Sequence, residues 1–482
     1  MLFDSPIYFV FLALVIPTYW LLRHRSRQNV LLLLASYLFY GWWDWRFLSL
    51  ILISTVVDYN CARYIARSSD PAKRRLLLAI SVGVNLTFLG FFKYFNFFVD
   101  SLHGVLGVAG LDVPLPVLRV ILPPGISFYT FQELAYIVDV YHRKLEPSES
   151  LVDYALFISL FPHLIAGPIQ RPSHLLPQVQ RERRFDGGKF FDGIMLILSG
   201  LFRKCVVADN CALLANAAFG GQLGQPSLPV LLIGMYAFAW QIYGDFSGYS
   251  DIARGSAQLM GFHFMVNFRQ PYLARSIQDF WRRWHISLST WLRDYLYIGL
   301  GGNRHGERKT YRNLFATMLL GGLWHGANWT FVVWGGIHGS MLAVERWFRA
   351  HVTARFAPSA VEQDDEPPSL FSASAWIRRI VVFHVVCVAW VFFRAPSLGE
   401  AMRMLGGATT WQWRPEYFTA FKFLTAFALP LFLVDLHMEA SQEEYVFAWR
   451  PYVPRFAIAA TLLVAVTLFA ASDASAFIYF QF

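Results

Sequence analysis

Long apolar runs recur along most of this chain, and they restrict its fold more than any other feature. Runs that span or nearly span a bilayer fall at about 7–22, 29–43, 47–65, 76–99, 191–208, 229–243, 312–334, 376–393, 417–436 and 456–478. A helix needs about 20 apolar residues to cross the hydrocarbon core of a membrane. The pattern predicts an all-α, polytopic membrane protein with about 10–12 transmembrane helices in a single domain over 1–482.

The composition excludes a soluble globular protein. Charged residues make up 15% of the 482 residues and hydrophobic residues 56%, whereas a soluble domain carries about 25% charged residues. The chain therefore has too few polar side chains to cover a surface that faces water. Aromatic residues make up 17%, which suits belts of Trp and Tyr at the two membrane interfaces.

The net charge of +9 raises the question of nucleic acid binding. The basic residues lie instead in short clusters between apolar runs, at 23–27, 73–75, 181–184 and 378–379. This distribution is typical of cytoplasmic loops that face anionic lipid. We expect membrane lipids as neighbours and no nucleic acid partner.

The first apolar run, Tyr8 to Leu22, resembles the core of a signal peptide in its length. A signal peptide carries its positive charge before the apolar stretch, but here Asp4 precedes the run and Arg23, Arg25 and Arg27 follow it. The pattern favours a first membrane span with a periplasmic N-terminus and no cleavage. The expected location is the inner membrane of a bacterium.

Two segments are apolar but interrupted, at 115–141 and 157–169. Prolines, glycines and polar residues interrupt them. Irregular backbone at membrane depth persists only inside protein or beside a water-filled cavity. We expect re-entrant or interfacial helices around a central funnel. An acidic, proline-containing stretch at 352–375 indicates a polar loop, and 397–482 is expected to form C-terminal helices.

The four cysteines lie in or beside apolar segments and lack the spacing of a zinc site. They are Cys61, Cys205, Cys211 and Cys387. We expect small buried side chains, no metal site and no bound cofactor.

The segment Ser276 to Tyr297 carries a dense set of polar and aromatic residues. On one helix, its polar side chains would step by three or four positions and share a face; these are Gln278, Arg282, His285, Ser289 and Arg293. One interpretation is an amphipathic helix at the membrane interface. The other is the wall of a tunnel, where Arg282 and Arg283 bind donor phosphates because guanidinium groups bind oxyanions bidentately.

A glycine-rich basic loop, Gly299 to Lys309, follows this segment. It lacks the spacing of a phosphate-binding P-loop, so alone it is weak evidence for phosphate binding. Beside the arginines, its Asn303 and Arg304 are candidate ligands for an acyl donor.

The strongest candidate for chemistry is His325, in the stretch Gly321 to Gly339. It follows a long apolar run, and an ionisable side chain at membrane depth indicates function. Neighbouring glycines permit close approach of backbone or ligand, and Asn328 would share its helical face. A neutral histidine can take a proton from an attacking hydroxyl. The alternative is a core histidine that is hydrogen-bonded between helices.

His338 is a weaker candidate. Thirteen residues at about 100° each place it about 220° around an unbroken helix from His325. The two side chains would then not line one face. Packing or gating suits His338 at least as well as chemistry.

Two further polar clusters belong to the same region. The run Gln241 to Gly255 contains Asp251 and several hydroxyl groups but no nucleophile elbow, so it is interpreted as tunnel wall or helix-end scaffolding. His163, between prolines and glycines, favours a structural turn.

Many ordered motifs together resemble the membrane-bound O-acyltransferase superfamily, in particular the membrane subunit of bacterial alginate O-acetyltransferases. They occur over about 37–396, at 37–47, 92–98, 122–141, 161–171, 200–210, 241–255, 280–304, 321–339 and 390–396. The resemblance implies that His325, in the WHG motif, is the active-site residue and that His285 is the second polar residue upstream. It also implies a funnel with the donor entering from the cytoplasm and the acceptor from the other side.

The function implied is transfer of an acetyl group from acetyl-CoA or an acyl-carrier thioester towards O-acetylation of an exopolysaccharide. The expected partners are a periplasmic acetyltransferase or polysaccharide-export proteins. Peptidoglycan O-acetylation and teichoic-acid D-alanylation are the alternatives within the superfamily. A lipid or sugar transporter, which would cleave no donor, is the alternative from another class, and a scaffold subunit with a degenerate site is a third.

Overall fold

Helices are the regular elements throughout the described part of the chain. The computed structural model describes residues 1–111, 113–114, 118, 121–353, 372–444, 451–471 and 477–478. No strand occurs among those residues, so the predicted all-α fold is confirmed. Most of the predicted polar loop, residues 354–371, lies outside the described residues.

Packing divides the chain into two compact units. Unit 1 comprises Met1–Ile197 and Tyr249–Met265, and unit 2 comprises Leu198–Gly248 and Val266–Phe482. The single domain over 1–482 stays a prediction. The first nine helices belong to unit 1: α1 (Pro6–Leu21), α2 (Arg25–Asp44), α3 (Leu48–Arg67), α4 (Pro71–Leu89), α5 (Phe95–Val108), α6 (Ile126–Tyr141), α7 (Leu151–Ser159), α8 (Phe161–Leu164) and α9 (Pro172–Gln180). Two more, α10 (Gly187–Leu201) and α12 (Leu228–Leu259), include the chain positions at which the units divide.

The remaining helices lie in unit 2. They are α11 (Asp209–Phe219), α13 (Ile277–Arg283), α14 (Ile286–Trp291), α15 (Glu307–His325), α16 (Trp329–Phe348), α17 (Ala373–Arg394), α18 (Leu398–Gly406), α19 (Pro415–Ser441) and α20 (Tyr452–Phe469). The last three agree with the C-terminal helices that the sequence predicts. Buried Trp284, Trp334 and Trp390 lie in the hydrophobic core of this unit.

Several helices have the length and apolarity of membrane spans. Four qualify within the described residues: Pro71–Val108, Ala373–Arg394, Pro415–Ser441 and Tyr452–Phe469, and Pro6–Leu21 is a shorter apolar helix. The first of these is continuous because α4 passes through a π-helical turn at Gly90–Tyr94 into α5. The chain is thus a membrane protein, and the total of about 10–12 spans stays a prediction.

A buried polar layer joins three helices of unit 1. Asp58 on α3 accepts hydrogen bonds from Ser81 Oγ at 2.5 Å and from Asn85 Nδ2 at 2.8 Å, both on α4. Ser54, one turn before Asp58, donates to Glu133 Oε1 on α6 at 2.6 Å. Burying such groups is costly unless they are hydrogen-bonded. These bonds therefore fix the packing of α3, α4 and α6.

The helical parts of the two interrupted segments are buried within unit 1. In α6, 14 of 16 residues are buried, and every residue of α8 is buried. Gly125 precedes α6 with φ of 74°, and a Cβ there would overlap the backbone of Leu164. The burial of α6 and α8 agrees with irregular segments inside the protein, while the re-entrant or interfacial helices and the central funnel stay predictions.

The sequence predicts one span over the apolar run at 312–334, but the structure does not form one there. The run belongs to two helices, because α15 ends at His325 and α16 begins at Trp329. The helices form an antiparallel hairpin in which a Cβ on Gly322 would overlap the carbonyl oxygen of Phe331, and a Cβ on Gly335 that of Met318. Glycine at these crossing points allows the two backbones to touch.

The segment 276–297 is likewise not one helix. It breaks at His285, between α13 and α14, and continues as a π-helical turn at Leu292–Tyr297. The expected continuous polar stripe is therefore wrong as a helical face. The break moves His285 away from the helical register of Gln278 and Ser289.

Candidate active site

His325 is the last residue of α15 and is 3% exposed. The helix ends there because Gly326 adopts an extended backbone, with φ of −160° and ψ of 145°. A side chain at Gly326 would overlap the ring of Phe331, so the turn brings the two helices into direct contact. Asn328 then caps α16, since its side-chain oxygen accepts a hydrogen bond from the amide of Thr330 at 3.0 Å.

His285 is fully buried and has a left-handed backbone, with φ of 43° and ψ of 52°. Such a conformation costs a residue other than glycine about 1–3 kcal/mol and needs support from its surroundings. Asn267 supplies it. Its carbonyl accepts from the amide of Ile286 at 2.9 Å, and its side-chain oxygen accepts from the amide and hydroxyl of Ser287 at 3.2 and 2.9 Å.

The two histidines meet inside unit 2. Their ring centroids are 6.2 Å apart with an interplanar angle of 54°. The chain separates them by 40 positions, from 285 to 325. The break before α14 and the end of α15 therefore place the two imidazoles at one location.

Aromatic rings enclose this pair. Trp334 lies edge-on to His325 at 5.1 Å between centroids, and Phe393 lies at 5.4 Å. Phe246 lies edge-on to His285 at 4.5 Å. Apolar walls exclude water and lower the local dielectric constant, which strengthens each electrostatic interaction with a reacting group.

The protonation state of His285 follows from its burial. His285 lies between two helices of seven and six residues, too short to cross a bilayer. Burial lowers the pKa of His285 to about 3, because a low dielectric disfavours the imidazolium ion. The ring is therefore neutral at physiological pH, with one nitrogen as donor and the other as acceptor.

His338, on α16, is also fully buried. Its Nδ1 accepts a hydrogen bond from Trp281 Nε1 at 3.3 Å. Its ring lies 4.8 Å from Trp334, the same indole that contacts His325. His338 thus packs against Trp334, which in turn contacts His325.

A cavity of about 430 Å³ lies beside this region of unit 2. We call it the arginine pocket; its polar lining is Gln278, Trp281, Ser289, Arg293, Tyr297, Asn303, Thr317, Glu345, Arg346 and Arg349. Trp281 forms part of its wall, and the same indole contacts Trp334 at 5.7 Å between centroids. Ring contacts therefore connect the pocket wall to His325 through Trp281 and Trp334.

One acidic residue in this wall has a structural role. Glu345 accepts hydrogen bonds from the amides of Ile277 and Gln278 at 2.8 and 3.3 Å, at the start of α13. It also lies 3.5 Å from Arg349. The lining of the arginine pocket carries three arginines and one glutamate, which leaves an excess of positive charge. Of these arginines, Arg293 also pairs through Nε with Asp294 at 2.7 Å, outside the lining.

The sequence profile of the membrane-bound O-acyltransferase family matches residues 142–388. This range contains both histidines and the whole arginine pocket. A protein named "Probable alginate O-acetylase AlgI", from Pseudomonas putida, is 45% identical over 84% of this chain and 80% of its own length.

The chain belongs to the membrane-bound O-acyltransferase family. Two further relatives differ in the activity that their names state. The peptidoglycan O-acetyltransferase of Helicobacter pylori is 35% identical over 84% of this chain and 79% of its own length. The teichoic acid D-alanyltransferase of Streptococcus thermophilus is 29% identical over 56% of this chain and 67% of its own length.

In this O-acyltransferase, the arginines expected to bind donor have different surroundings. Arg283 pairs with Asp279 at 2.8 Å and with Glu439 at 2.6 Å, so it holds α13 against α19. Arg282 and Arg304 are exposed and do not line the arginine pocket. Asn303 does line it and accepts a hydrogen bond from Tyr297.

Two other expected site residues serve the scaffold. Besides capping α16, Asn328 donates from Nδ2 to the carbonyl oxygen of Pro396 at 3.1 Å. Because the helix ends before it, Asn328 does not share a helical face with His325. Asp251 belongs to unit 1, where it lies 3.7 Å from Arg254.

The structure adds residues that sequence reasoning missed. Asn267 positions His285, while Arg346 and Arg349 line the arginine pocket from the end of α16. The sequence signal of Arg346 and Arg349 is weak, since two arginines after an apolar run also fit a membrane boundary. Trp334 and Phe393 lie within the family-like motifs, but only the fold shows that both touch His325.

Proposed function

We propose that this enzyme transfers an acetyl group from a cytoplasmic thioester to a hydroxyl group in a pathway that O-acetylates an exopolysaccharide. The observation that carries this proposal is the buried meeting of His285 and His325, 6.2 Å apart, in a member of the O-acyltransferase family. The relative from Pseudomonas putida, 45% identical, supports acetyl as the group transferred.

In this proposal His325 is the general base. It takes the proton of the acceptor hydroxyl as the oxygen attacks the carbonyl carbon of the thioester. The C–S bond then breaks, and the protonated His325 returns that proton to the departing thiolate, so that an ester and a free thiol result. His285, which is neutral, donates a hydrogen bond that polarises that carbonyl or orients the donor. The surrounding rings of Trp334 and Phe393 keep water from hydrolysing the thioester.

The arginine pocket is the proposed site for the donor's phosphate groups. Arginine binds phosphate bidentately, and the side chains of Arg293 and Arg346 are both exposed at the pocket. The contact of Arg293 with Asp294 is made by its Nε. Asn303 adds an amide. The donor site that the sequence placed on Arg282, Arg283 and Arg304 thus moves to neighbouring arginines.

The distance between pocket and histidine favours a donor with a long arm. Met318 lines the pocket and lies seven residues before His325 on α15. At about 1.5 Å per residue, the separation along the helix is about 10 Å. A donor whose phosphate is held in the pocket can place its acyl group at His325 only if a long arm joins the phosphate to the acyl group. Acetyl-CoA and an acyl-carrier thioester have such an arm, whereas acetyl phosphate does not.

The proposed setting is the inner membrane of a bacterium, with the N-terminus in the periplasm. The basic residues after α1, from Arg23 to Arg27, support a cytoplasmic position for that end. The acetyl group would then pass to a periplasmic acetyltransferase or another component of polysaccharide export.

The role of His325 is tested with purified protein in lipid nanodiscs and a donor carrying a labelled acetyl group. We expect His325→Ala to lower the transfer rate by about 10²–10⁴-fold, the usual contribution of a positioned general base. His384→Ala is the matched control, because His384 is exposed and bonds to Tyr236 outside the site. A folded His325→Ala variant with the rate of the wild type would overturn the assignment.

The donor site is tested by measuring KM for the donor. We expect Arg293→Gln and Arg346→Gln each to raise it about tenfold with little change in kcat, since a hydrogen bond to a charged group contributes about 1.5 kcal/mol and about 1.4 kcal/mol is a factor of ten. Arg282→Gln is the control of equal charge. A larger effect from Arg282→Gln would return the donor site to the residues that the sequence predicted.

The same assay separates the alternatives. A transporter moves its substrate intact, so it releases no free thiol from the donor. A teichoic-acid D-alanyltransferase accepts a D-alanyl donor in preference to an acetyl donor. Peptidoglycan O-acetylation is distinguished by supplying muropeptide and polysaccharide acceptors in parallel.

A further inference from the structure

A second cavity of about 430 Å³ lies in unit 1, far along the chain from the two histidines. We call it the basic pocket; its lining includes Trp20, Gln178, Arg181, Glu182, Arg183, Arg184, Phe185, Asp186, Lys189, Phe190, Gln258, Leu259 and Gly261. It lies where the ends of α1 and α12 and the start of α10 meet the loop 181–186. The proposed acyl transfer uses none of these residues.

Three cations at the basic pocket are available to a ligand. The side chains of Arg181, Arg184 and Lys189 are exposed, and within the described residues they form no ion pair. The nearby carboxylate of Asp186 already accepts from the amides of Gly188 and Lys189, at 2.9 and 3.1 Å. The lining carries four basic and two acidic residues, which leaves a net positive charge.

A fourth cation, Arg183, builds the floor of the pocket. Its Nε donates to Tyr19 Oη at 2.6 Å, and its Nη1 donates to the carbonyl oxygen of Val179 at 3.1 Å. The guanidinium also lies 4.8 Å from the centre of the Phe262 ring. These contacts hold the backbone of the loop in place, so Arg181 and Arg184 flank a fixed surface.

The other side of the pocket is aromatic and continues onto an apolar helix. Trp20 Nε1 donates to the carbonyl oxygen of Leu259 at 3.0 Å, and Phe185 lies edge-on to Trp20 at 5.4 Å. Phe185 is 60% exposed, and Leu14 and Leu21 on α1 are 68% and 79% exposed. Exposed apolar side chains of this size beside Trp and Arg are typical of the boundary between lipid tails and headgroups.

We propose that the basic pocket binds the headgroup of an anionic phospholipid, whose acyl chains lie along the exposed face of α1. The phosphate would lie between Arg181, Arg184 and Lys189, because basic residues near a membrane surface attract anionic lipid. The chains would cover Leu14 and Leu21. A concave site next to an apolar helix suits a lipid better than an acidic protein, which needs a broad exposed face.

The test uses the full chain in detergent with defined lipids added, followed by native mass spectrometry. We expect the wild type to retain phosphatidylglycerol or cardiolipin in preference to phosphatidylcholine. The double variant Arg181→Gln/Arg184→Gln should lower the affinity about 30-fold, since each basic residue contributes about 1 kcal/mol at an anionic membrane surface and about 1.4 kcal/mol is tenfold.

The matched control is Arg23→Gln/Arg27→Gln, which removes the same charge from exposed positions just after α1 that do not line the pocket. Loss of lipid in the pocket variant alone supports the proposal. Equal loss in both variants indicates attraction to net charge and overturns it. Glycerol phosphate or inorganic phosphate that displaces the lipid at equal concentration would assign the pocket to a free phosphate, and binding only of an acidic protein would also contradict the proposal.

Discussion

At the scale of single residues, the site depends on a strained histidine. His285 adopts a left-handed backbone that few residues other than glycine occupy. A second histidine, His325, has an ordinary helical position and needs no such support. Strained backbone occurs often at functional sites. The helix α15 thus positions His325, whereas tertiary contacts position His285.

Asn267 provides that support, which leads to a prediction. Asn267→Ala removes the side-chain acceptor of Ser287 and should lower the unfolding free energy by about 1–3 kcal/mol. It should also lower kcat for acetyl transfer, because His285 can relax away from His325. The measurement combines thermal unfolding with the labelled-donor assay.

Asn85→Ala is the control for this change. Asn85 is also buried and bonds to Asp58, but it belongs to unit 1. We expect a similar loss of stability with kcat retained. Full kcat in a folded Asn267→Ala enzyme would show that the bond does not position His285.

At the scale of elements, the hairpin of α15 and α16 sets the position of His325. Its backbones touch at Gly322 and Gly335, where a Cβ would overlap a carbonyl oxygen of the other helix. Alanine normally favours a helix over glycine by about 1 kcal/mol. Glycine here therefore serves the contact between helices and not the helix itself.

Substitution at the hairpin should reveal this difference. We expect Gly335→Ala to destabilise the protein by about 1–3 kcal/mol, the usual cost of overpacking, and to lower acetyl transfer because α15 shifts. Gly336→Ala is the neighbouring control, since a Cβ there would lie 3.4 Å from Leu319, an ordinary contact. Its unfolding temperature in detergent should equal or exceed that of the wild type. Equal effects of the two changes would contradict the close packing.

At the scale of the whole molecule, a charged pair links distant parts of unit 2. Arg283 on α13 and Glu439 on α19 lie 156 positions apart, and their side chains are 16% and 4% exposed. The link includes a helix from the region beyond 397, where the sequence showed no motif. The last quarter of the chain thus helps to hold the segment that carries His285.

Because Arg283 is paired with Glu439, we expect substitution of Arg283 to change the stability of the protein and not its donor binding. Arg283→Met should cost about 3 kcal/mol, because it leaves Glu439 buried without its partner, while the donor KM stays the same. The double variant Arg283→Met/Glu439→Leu should recover much of that loss. Chemical unfolding measures the free energy of unfolding, and steady-state kinetics measure the donor KM.

The matched control uses an exposed ion pair. Arg403 and Glu400 are 45% and 44% exposed, so Arg403→Met should cost less than about 1 kcal/mol. A rise in donor KM for Arg283→Met at unchanged stability would instead make Arg283 a donor ligand, as the sequence suggested.

Much of this protein follows from its sequence alone. Apolar runs and sparse charge require lipid as a solvent. Apolar runs of about 20 residues in lipid favour helices, because a helix pairs the backbone polar groups within its own segment. The helices α1, α17 and α19 accordingly lie close to the runs that predicted them. His325 was also proposed from sequence, since an ionisable side chain after such a run indicates function.

The tertiary structure decided where helices break and which side chains meet. Helical periodicity assumes an unbroken helix. The break at His285 is supported by Asn267, and the break after His325 places Gly326 against the ring of Phe331. Neither contact follows the three- and four-residue spacing of a helix. The lining of the arginine pocket is likewise the reason that we propose Arg293 and Arg346 as donor ligands in place of Arg282, Arg283 and Arg304. Sequence pattern specifies the environment that each residue requires, but long-range contacts decide which residues share it.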